Sequence, residues 1–134
     1  MRHTQIQSAI SAHATKRGYS ALITDKEHLD RVIESFPIAW LKTIEIVEKT
    51  GRRTGRIKYR IELALADENS LLPSSLANAK LGEMESDMLE ILAQLSMEEG
   101  VVEVKNICIK PRTSPLTKHK DISQCCTADV LCYY

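Results

Sequence analysis

The sequence predicts an α+β fold, in which a mainly antiparallel sheet with a long β-hairpin is packed by a long amphipathic helix and by N-terminal helices. Apolar and polar residues alternate strictly from Ile57 to Leu65, as in a strand with one buried face. From Leu81 to Leu95, apolar residues recur at helical spacing. The chain has 134 residues, of which 43% are hydrophobic and 27% charged, so we expect a single α+β domain over residues 1–134.

The N-terminal part predicts two helices around a short strand. A first helix is expected from Thr4 to Lys16, followed by a strand from Tyr19 to Ile23. Thr24 and Glu27 have the spacing of a capping box, so Thr24 is the predicted N-cap of the second helix. Pro37 is expected to end that helix, because the residue before a proline avoids the α region. Its predicted apolar stripe consists of Leu29, Val32, Ile33 and Phe36.

The strongest pattern is that of the hairpin. One arm is predicted from Trp40 to Glu48, with Trp40, Ile44 and Ile46 on one face, and the other from Ile57 to Leu65. The connecting segment, residues 49–56, contains two glycines and four basic residues. We expect this tip to be mobile and to pack on nothing in its own chain.

After a loop over residues 67–75, the periodicity predicts a third helix from Leu76 to Met97 that lies across the sheet. Two further strands are predicted from Val101 to Ile109 and from Thr127 to Tyr134, separated by a polar loop over residues 110–120. The third helix is expected to bury Leu81, Met84, Met88, Ile91, Leu92 and Leu95, and to turn Glu83, Glu85, Asp87 and Glu90 outward.

Composition and motifs favour a protein without catalysis, cofactor or metal. No Gly-x-Ser-x-Gly elbow or His-Glu-x-x-His helix occurs, and no Lys-Ser or Lys-Thr follows Gly51-x-x-x-Gly55 as a P-loop requires. The four cysteines have poor zinc-ligand spacing, since adjacent Cys125 and Cys126 in a strand point to opposite faces. Without a membrane-length apolar run or a secretory signal, the chain is expected in the cytoplasm, with reduced thiols.

Basic residues concentrate around the hairpin tip, although the whole chain has 18 basic and 18 acidic residues and a formal net charge of +0. This overall balance argues against a protein dedicated to coating nucleic acid. The tip is open to three interpretations: a soluble end that prevents edge aggregation, an arm that docks on an acidic protein surface, or a phosphate contact. The candidate interaction residues are Lys49, Arg52, Arg53, Arg56, Lys58 and Arg60.

The order of elements resembles the tail-terminator or tail-completion proteins of long-tailed bacteriophages. The similar features are the segment Phe36-Pro37-Ile38-Ala39-Trp40 entering the hairpin, and the basic Arg53-x-x-Arg56 leading into the alternating strand Ile57 to Leu63. A third is the helix from about Leu76 that packs on the sheet before the last strands. The resemblance covers residues 4–134 and is architectural.

The resemblance implies a structural protein that forms a ring, commonly a hexamer, at the head-tail junction, without a cofactor. Its partners would be further copies of itself, the tail tube and head-tail connector proteins, and its location the virion or the host cytoplasm before assembly. In such a ring the basic tip would face acidic groups, with Glu83, Glu85, Asp87 and Glu90 as the first candidates. The alternatives are a small bacterial ligand-binding or regulatory domain, and a nucleic-acid-binding module that uses the tip.

Overall fold

A computed structural model describes residues 2–33, 35–68, 74–112, 115–118 and 121–134. Within these residues it has three helices and a six-stranded, mostly antiparallel sheet, which confirms the α+β fold class. The predicted loops over 67–75 and 110–120 lie in part outside the described residues. The elements are α1 His3–Lys16, β1 Ser20–Ile23, α2 Lys26–Val32, β2 Ile38–Leu41, β3 Glu45–Gly51, β4 Gly55–Glu68, α3 Ser74–Ser96, β5 Val101–Pro111 and β6 Asp121–Tyr133.

The sheet has the strand order β1-β2-β4-β6-β5, and β3 pairs with β4 off this path. Its longest ladder joins β4 to β6, from the pair Arg56 and Tyr133 to the pair Glu68 and Asp121. The pair β1–β2 is parallel, and the other pairs are antiparallel. Strands β2 and β3 therefore lie one after the other along the same edge of β4, where each covers a different half of it.

The main core lies between the sheet and the helices α1 and α3. The alternation in β4 is confirmed, since its five predicted inward residues are all buried there: Ile57, Tyr59, Ile61, Leu63 and Leu65. Facing them, α3 buries Met84, Met88, Ile91, Leu92 and Leu95, and Leu81 packs at the border of the core. The apolar stripe of α3, which repeats at the helical period, therefore packs on the apolar face of β4, which repeats every second residue, as the sequence predicts.

A smaller core covers part of the opposite sheet face. Leu29 of α2 and Leu116 pack there against Trp40 and Ala64. The side chain of Cys125 lies against this second core, whereas its neighbour Cys126 is buried in the first. The prediction that these adjacent cysteines point to opposite faces is therefore confirmed.

The predicted first arm of the hairpin, Trp40 to Glu48, is wrong as one strand. The chain leaves the ladder after Leu41 and joins β4 again at Glu45, and a register shift follows between Ile46 and Glu48. As a result Trp40 is buried in the second core, while Ile46 is 60% exposed rather than on a shared buried face. Alternation was a poor guide here because a break and a bulge each change which face a side chain takes.

The start and end of the second helix also differ from prediction. Its N-cap is Asp25, whose carboxylate accepts a hydrogen bond from the backbone N–H of the third helical residue. The expected N-cap, Thr24, instead accepts a 2.8 Å hydrogen bond from the Trp40 indole at its carbonyl oxygen. The helix ends at Val32, well before Pro37, and Val32 is exposed. Aspartate is a preferred N-cap residue, so the helix begins one residue later than the capping-box spacing indicates.

Candidate interaction site at the basic end of the sheet

The hairpin turn is tight and holds its basic residues at the outermost position. Gly51 and Gly55 pair across the turn and have positive φ angles of 87° and 155°. A Cβ atom on Gly51 would lie 2.1 Å from the carbonyl oxygen of Thr54, so only glycine fits there. Arg52 and Arg53 are consequently displayed to solvent at the end of the sheet.

The tip packs on Tyr134, which contradicts the expectation that it packs on nothing in its own chain. The single proton of the Tyr134 hydroxyl lies within reach of two carbonyl oxygens, that of Arg52 at 3.1 Å and that of Thr50 at 3.4 Å, measured from the hydroxyl oxygen. The Tyr134 ring is contacted by Lys49, whose Nζ lies 5.0 Å from the ring centroid, and by Arg2, whose Cζ lies 5.3 Å away. The β4–β6 ladder brings Tyr134 here, a contact that the local sequence of the hairpin does not encode.

A second tyrosine positions Arg56. Arg56 and Tyr133 are direct partners in the β4–β6 ladder, and the guanidinium Cζ lies 5.4 Å from the Tyr133 ring centroid. Such a cation–π contact contributes about 0.5–1 kcal/mol at an exposed site and leaves the N–H donors at the guanidinium edge able to bind another group. Arg56 is therefore oriented without being neutralised.

The last two predicted site residues, Lys58 and Arg60, are not part of this cluster. Lys58 Nζ lies 3.0 Å from a carboxylate oxygen of Glu48, and Arg60 Nε lies 3.1 Å from Oδ1 of Asp129. Burial acts to raise the pKa of Asp129, but hydrogen bonds from Asn106 and Arg60 outweigh it and lower this pKa below its ordinary value. These two cations belong to an internally neutralised charge ladder on the open sheet face.

We define the basic end as the five cations that lie around Tyr133, Tyr134 and the hairpin turn and have no acidic side chain within 4.0 Å among the residues that the structure describes: Arg2, Lys49, Arg52, Arg53 and Arg56. With these five set aside, 13 basic residues remain against 18 acidic ones. Because the whole chain is formally neutral, the rest of the molecule carries −5. The protein is electrically asymmetric although its net charge is zero.

The acidic face predicted on α3 is only partly available to a neighbour. Arg17 lies 3.7 Å from a carboxylate oxygen of Asp87 and 3.9 Å from one of Glu90. The Tyr19 hydroxyl also donates a 2.7 Å hydrogen bond to Asp87; burial and this bond raise the pKa of Tyr19. Two members of the predicted set, Glu83 and Glu85, are exposed and have no ion pair within the described part of the chain.

Sequence reasoning found Lys49, Arg52, Arg53 and Arg56 but missed Arg2 and the two tyrosines. No local pattern could join Arg2 to a hairpin far along the chain; packing of α1 on the sheet makes that link. The adjacent tyrosines at the end of the predicted last strand, Thr127 to Tyr134, were the one available signal. They became informative only with the β4–β6 register.

No family model and no curated protein sequence matches this chain. Over the described ranges, no helix combines the length and the apolar character needed to cross a membrane. Within the same ranges, no three His, Cys, Asp or Glu side chains converge in a metal-binding arrangement. The basic end is thus the most distinctive feature from which a function can be argued.

Proposed function

We propose that this protein is a non-enzymatic structural protein of a phage or prophage tail, a tail-terminator or tail-completion protein that forms a ring at the head-tail junction. The observation that carries the proposal is the basic end, five cations without acidic partners on a molecule whose remaining charge is −5. A surface of this kind is suited to docking on an acidic protein surface.

Charge asymmetry on a neutral chain supports contacts between unlike surfaces of neighbouring subunits. Heterologous contacts of this type give a closed ring when the rotation between subunits closes. In such a contact Arg52 and Arg53 would face Glu83 and Glu85, the acidic α3 residues that are not already paired. Exposed ion pairs contribute about 0–1 kcal/mol each, so they orient the subunits while apolar burial supplies most of the affinity.

The proposed location in a phage tail rests on the resemblance of the element order to that of tail-terminator and tail-completion proteins. The ring, commonly a hexamer in that family, would join the tail tube to head-tail connector proteins, and the protein would act in the virion after synthesis in the host cytoplasm. Such a role requires shape and adhesion rather than catalysis or a cofactor. We accordingly place the interaction at the basic end and assign no catalytic residue.

The decisive experiment reverses the charge of the basic end. The triple variant Arg52→Glu, Arg53→Glu and Arg56→Glu should reduce the solution mass of the assembly, measured by light scattering, and should prevent tail completion. A matched control carries Lys16→Glu, Arg31→Glu and Lys110→Glu, which are exposed cations outside the basic end. This control changes the net charge equally and should assemble normally. An unchanged mass and normal tails for the first variant would refute the docking role.

One second candidate is favoured by the same cluster, a module that contacts nucleic-acid phosphates. The arginines over the two tyrosine rings supply the positive charge and the N–H donors that phosphate contacts use. This function predicts retention on duplex DNA that weakens steeply with salt, with a slope of log affinity against log salt of roughly −0.9 per phosphate contact. Binding without that salt dependence would exclude it.

A further inference from the structure

The sheet has a vacant strand position beside β3. Strands β2 and β3 occupy the same edge of β4 in succession, and β1 covers the outer edge of β2 alone. Beyond Ile23, where β1 ends, the line of that strand continues along the uncovered outer edge of β3. Every residue of β3 is exposed. An additional strand placed there would lie in line with β1 and leave the sheet order otherwise unchanged.

The outer backbone of β3 has unused hydrogen-bonding capacity. In an antiparallel ladder, alternate residues direct their N–H and C=O groups to one side. The inward groups of β3 pair with β4, and in the described part of the chain the further hydrogen bond to the backbone of residues 45–51 is the one that the Thr50 carbonyl accepts from Tyr134. Peptide groups on an open edge are a template for one more strand.

A groove lined by both aliphatic and polar side chains lies where the vacant position begins. It has a volume of about 410 Å³, and its lining includes Ile23, Ile44 and Ile46 beside Thr24 and Asp25. Ile23 is 48% exposed and Ile46 is 60% exposed, so both can contact a bound segment. At its other end the vacant position reaches the turn that carries Arg52 and Arg53. The position thus has exposed aliphatic side chains at one end and cations at the other.

We propose that the groove and the outer edge of β3 bind an extended segment of a partner protein, with apolar side chains over Ile23 and Ile46 and acidic side chains at the basic end. The inference rests on the proposed docking function and names its class of partner. An antiparallel addition fits the surrounding antiparallel sheet and has the more stable ladder. Because β3 runs towards the tip, the amino end of the added strand lies at Arg52 and Arg53.

Charge complementarity selects this occupant over an uncharged strand. The amino end of the segment meets the turn that carries Arg52 and Arg53, so acidic residues there are attracted and basic ones repelled. The bulge between Ile46 and Glu48 interrupts a continuous ladder along β3. The bulge therefore disfavours pairing of β3 with an arbitrary strand. The aliphatic side chains of the groove and the charges at the turn then select the segment that binds.

The test uses the full chain and a synthetic peptide of about eight residues, long enough to span β3 at roughly 3.4 Å per residue. The probe has Asp-Asp-Glu at its amino end followed by alternating Val and Thr, and binding is measured by fluorescence anisotropy. A second peptide carries the same acidic residues at its carboxyl end. We expect the first peptide to bind about ten-fold or more tightly than the second. Equal affinities, or no binding of the first, would overturn the inference.

Substitutions locate the contact. Ile46→Glu should weaken binding of the first peptide about ten-fold or more, because it places a charge where the apolar side chains of the peptide would pack. Leu89→Glu is the matched control, since Leu89 is 50% exposed on α3, away from the groove, and should leave binding unchanged. Ile46 is itself exposed, so both variants are expected to fold. Equal binding by the Ile46→Glu variant and the wild type would place the peptide elsewhere and refute the assignment.

The outcomes separate this inference from the proposed function. If charge reversal of the basic end blocks assembly while the wild type ignores the peptide, the docking role stands and strand addition is wrong. If the peptide binds at β3 while assembly survives charge reversal, strand addition stands and the docking role is wrong. If Ile46→Glu lowers the solution mass of the protein alone, the occupant is a second copy, and the assignment to a different partner protein is overturned.

Discussion

The Tyr134 hydroxyl donates a 3.1 Å hydrogen bond to the main-chain carbonyl of Arg52, and so ties the hairpin turn to the residue that follows β6. The Lys49 ammonium donates a second hydrogen bond to the same carbonyl, at 3.0 Å, and the two bonds together restrain a tip with two glycines. Removing the hydroxyl in Tyr134→Phe should accelerate amide hydrogen exchange over residues 51–54, because the turn then opens locally without global unfolding. The free energy of unfolding should fall by about 0.5–1.5 kcal/mol.

The ring of Tyr134 has a separable role. Tyr134→Phe keeps the aromatic face that contacts Arg2 and Lys49, whereas Tyr134→Leu removes it. The leucine variant should be less stable than the phenylalanine variant by about 0.5–1 kcal/mol, measured by urea denaturation. Identical exchange of residues 51–54 in wild type and Tyr134→Phe would show that the hydroxyl does not restrain the turn.

Asn106 should support both the shape of β5 and the charge of Asp129. It lies at a bulge with a positive φ of 54°, and its amide donates a 2.8 Å hydrogen bond to Asp129. Asn106→Gly loses the hydrogen bond but keeps the backbone conformation, with an expected loss of about 1.5–3 kcal/mol for a bond to a charged group. Asn106→Ala should cost about 1 kcal/mol more, since alanine disfavours positive φ.

The same pair predicts a pH dependence. The pKa of Asp129 is lowered in the folded protein, so its contribution to stability is full above its unfolded pKa of about 3.9 and disappears as pH falls through the folded pKa. In the Asn106→Gly variant, the Asp129 carboxylate loses one hydrogen bond and contributes less to the free energy of unfolding. The difference in unfolding free energy between wild type and variant should therefore be largest above about pH 5 and should narrow towards pH 2. A difference independent of pH would show that Asn106 does not act through the Asp129 carboxylate.

Truncation of two residues of equal size on α3 should change the free energy of unfolding by very different amounts. Ile91 is fully buried against the sheet, whereas Leu89 is half-exposed on the outer side of the same helix. Ile91→Ala should lower the free energy of unfolding by about 2–5 kcal/mol, because it removes packed methyl groups and leaves a cavity. Leu89→Ala should change it by less than about 0.5 kcal/mol. Similar values for the two variants in chemical denaturation would mean that the buried face of α3 is misassigned.

The cysteines should label in order of accessibility. Cys108 is exposed on β5, whereas Cys126 and Cys132 are buried in the main core. Burial raises the pKa of Cys126 to about 12, and the negative charges of the Cys108 and Cys125 thiolates act in the same direction. Little reactive Cys126 thiolate therefore forms near neutral pH. Iodoacetamide at about pH 8 should modify Cys108 first and Cys126 only after unfolding, as read by mass spectrometry. Early labelling of Cys126 would contradict the packing of β6.

Long and uninterrupted periodicity made two elements predictable from the sequence alone. The alternation of Ile57 to Leu65 predicted β4, and the helical spacing of Leu81 to Leu95 predicted α3, because side-chain direction follows from backbone geometry alone. The last strand was predicted from Thr127, but it begins at Asp121. There Ser123 and Gln124 are buried polar residues, and their pairing with β4 supplies a strand that hydrophobicity does not indicate.

Which charges are available for binding depends on the three-dimensional packing of the chain. The six basic residues predicted around the hairpin look alike in sequence, yet Lys58 and Arg60 meet acidic partners while Arg52 and Arg53 extend beyond the sheet. The predicted acidic residues of α3 also fall into two groups, because Asp87 and Glu90 lie near Arg17 whereas Glu83 and Glu85 do not. A charge is neutralised by whatever lies within a few ångströms of it. Strand register and helix packing bring those neighbours together from distant parts of the chain, so local spacing does not encode them.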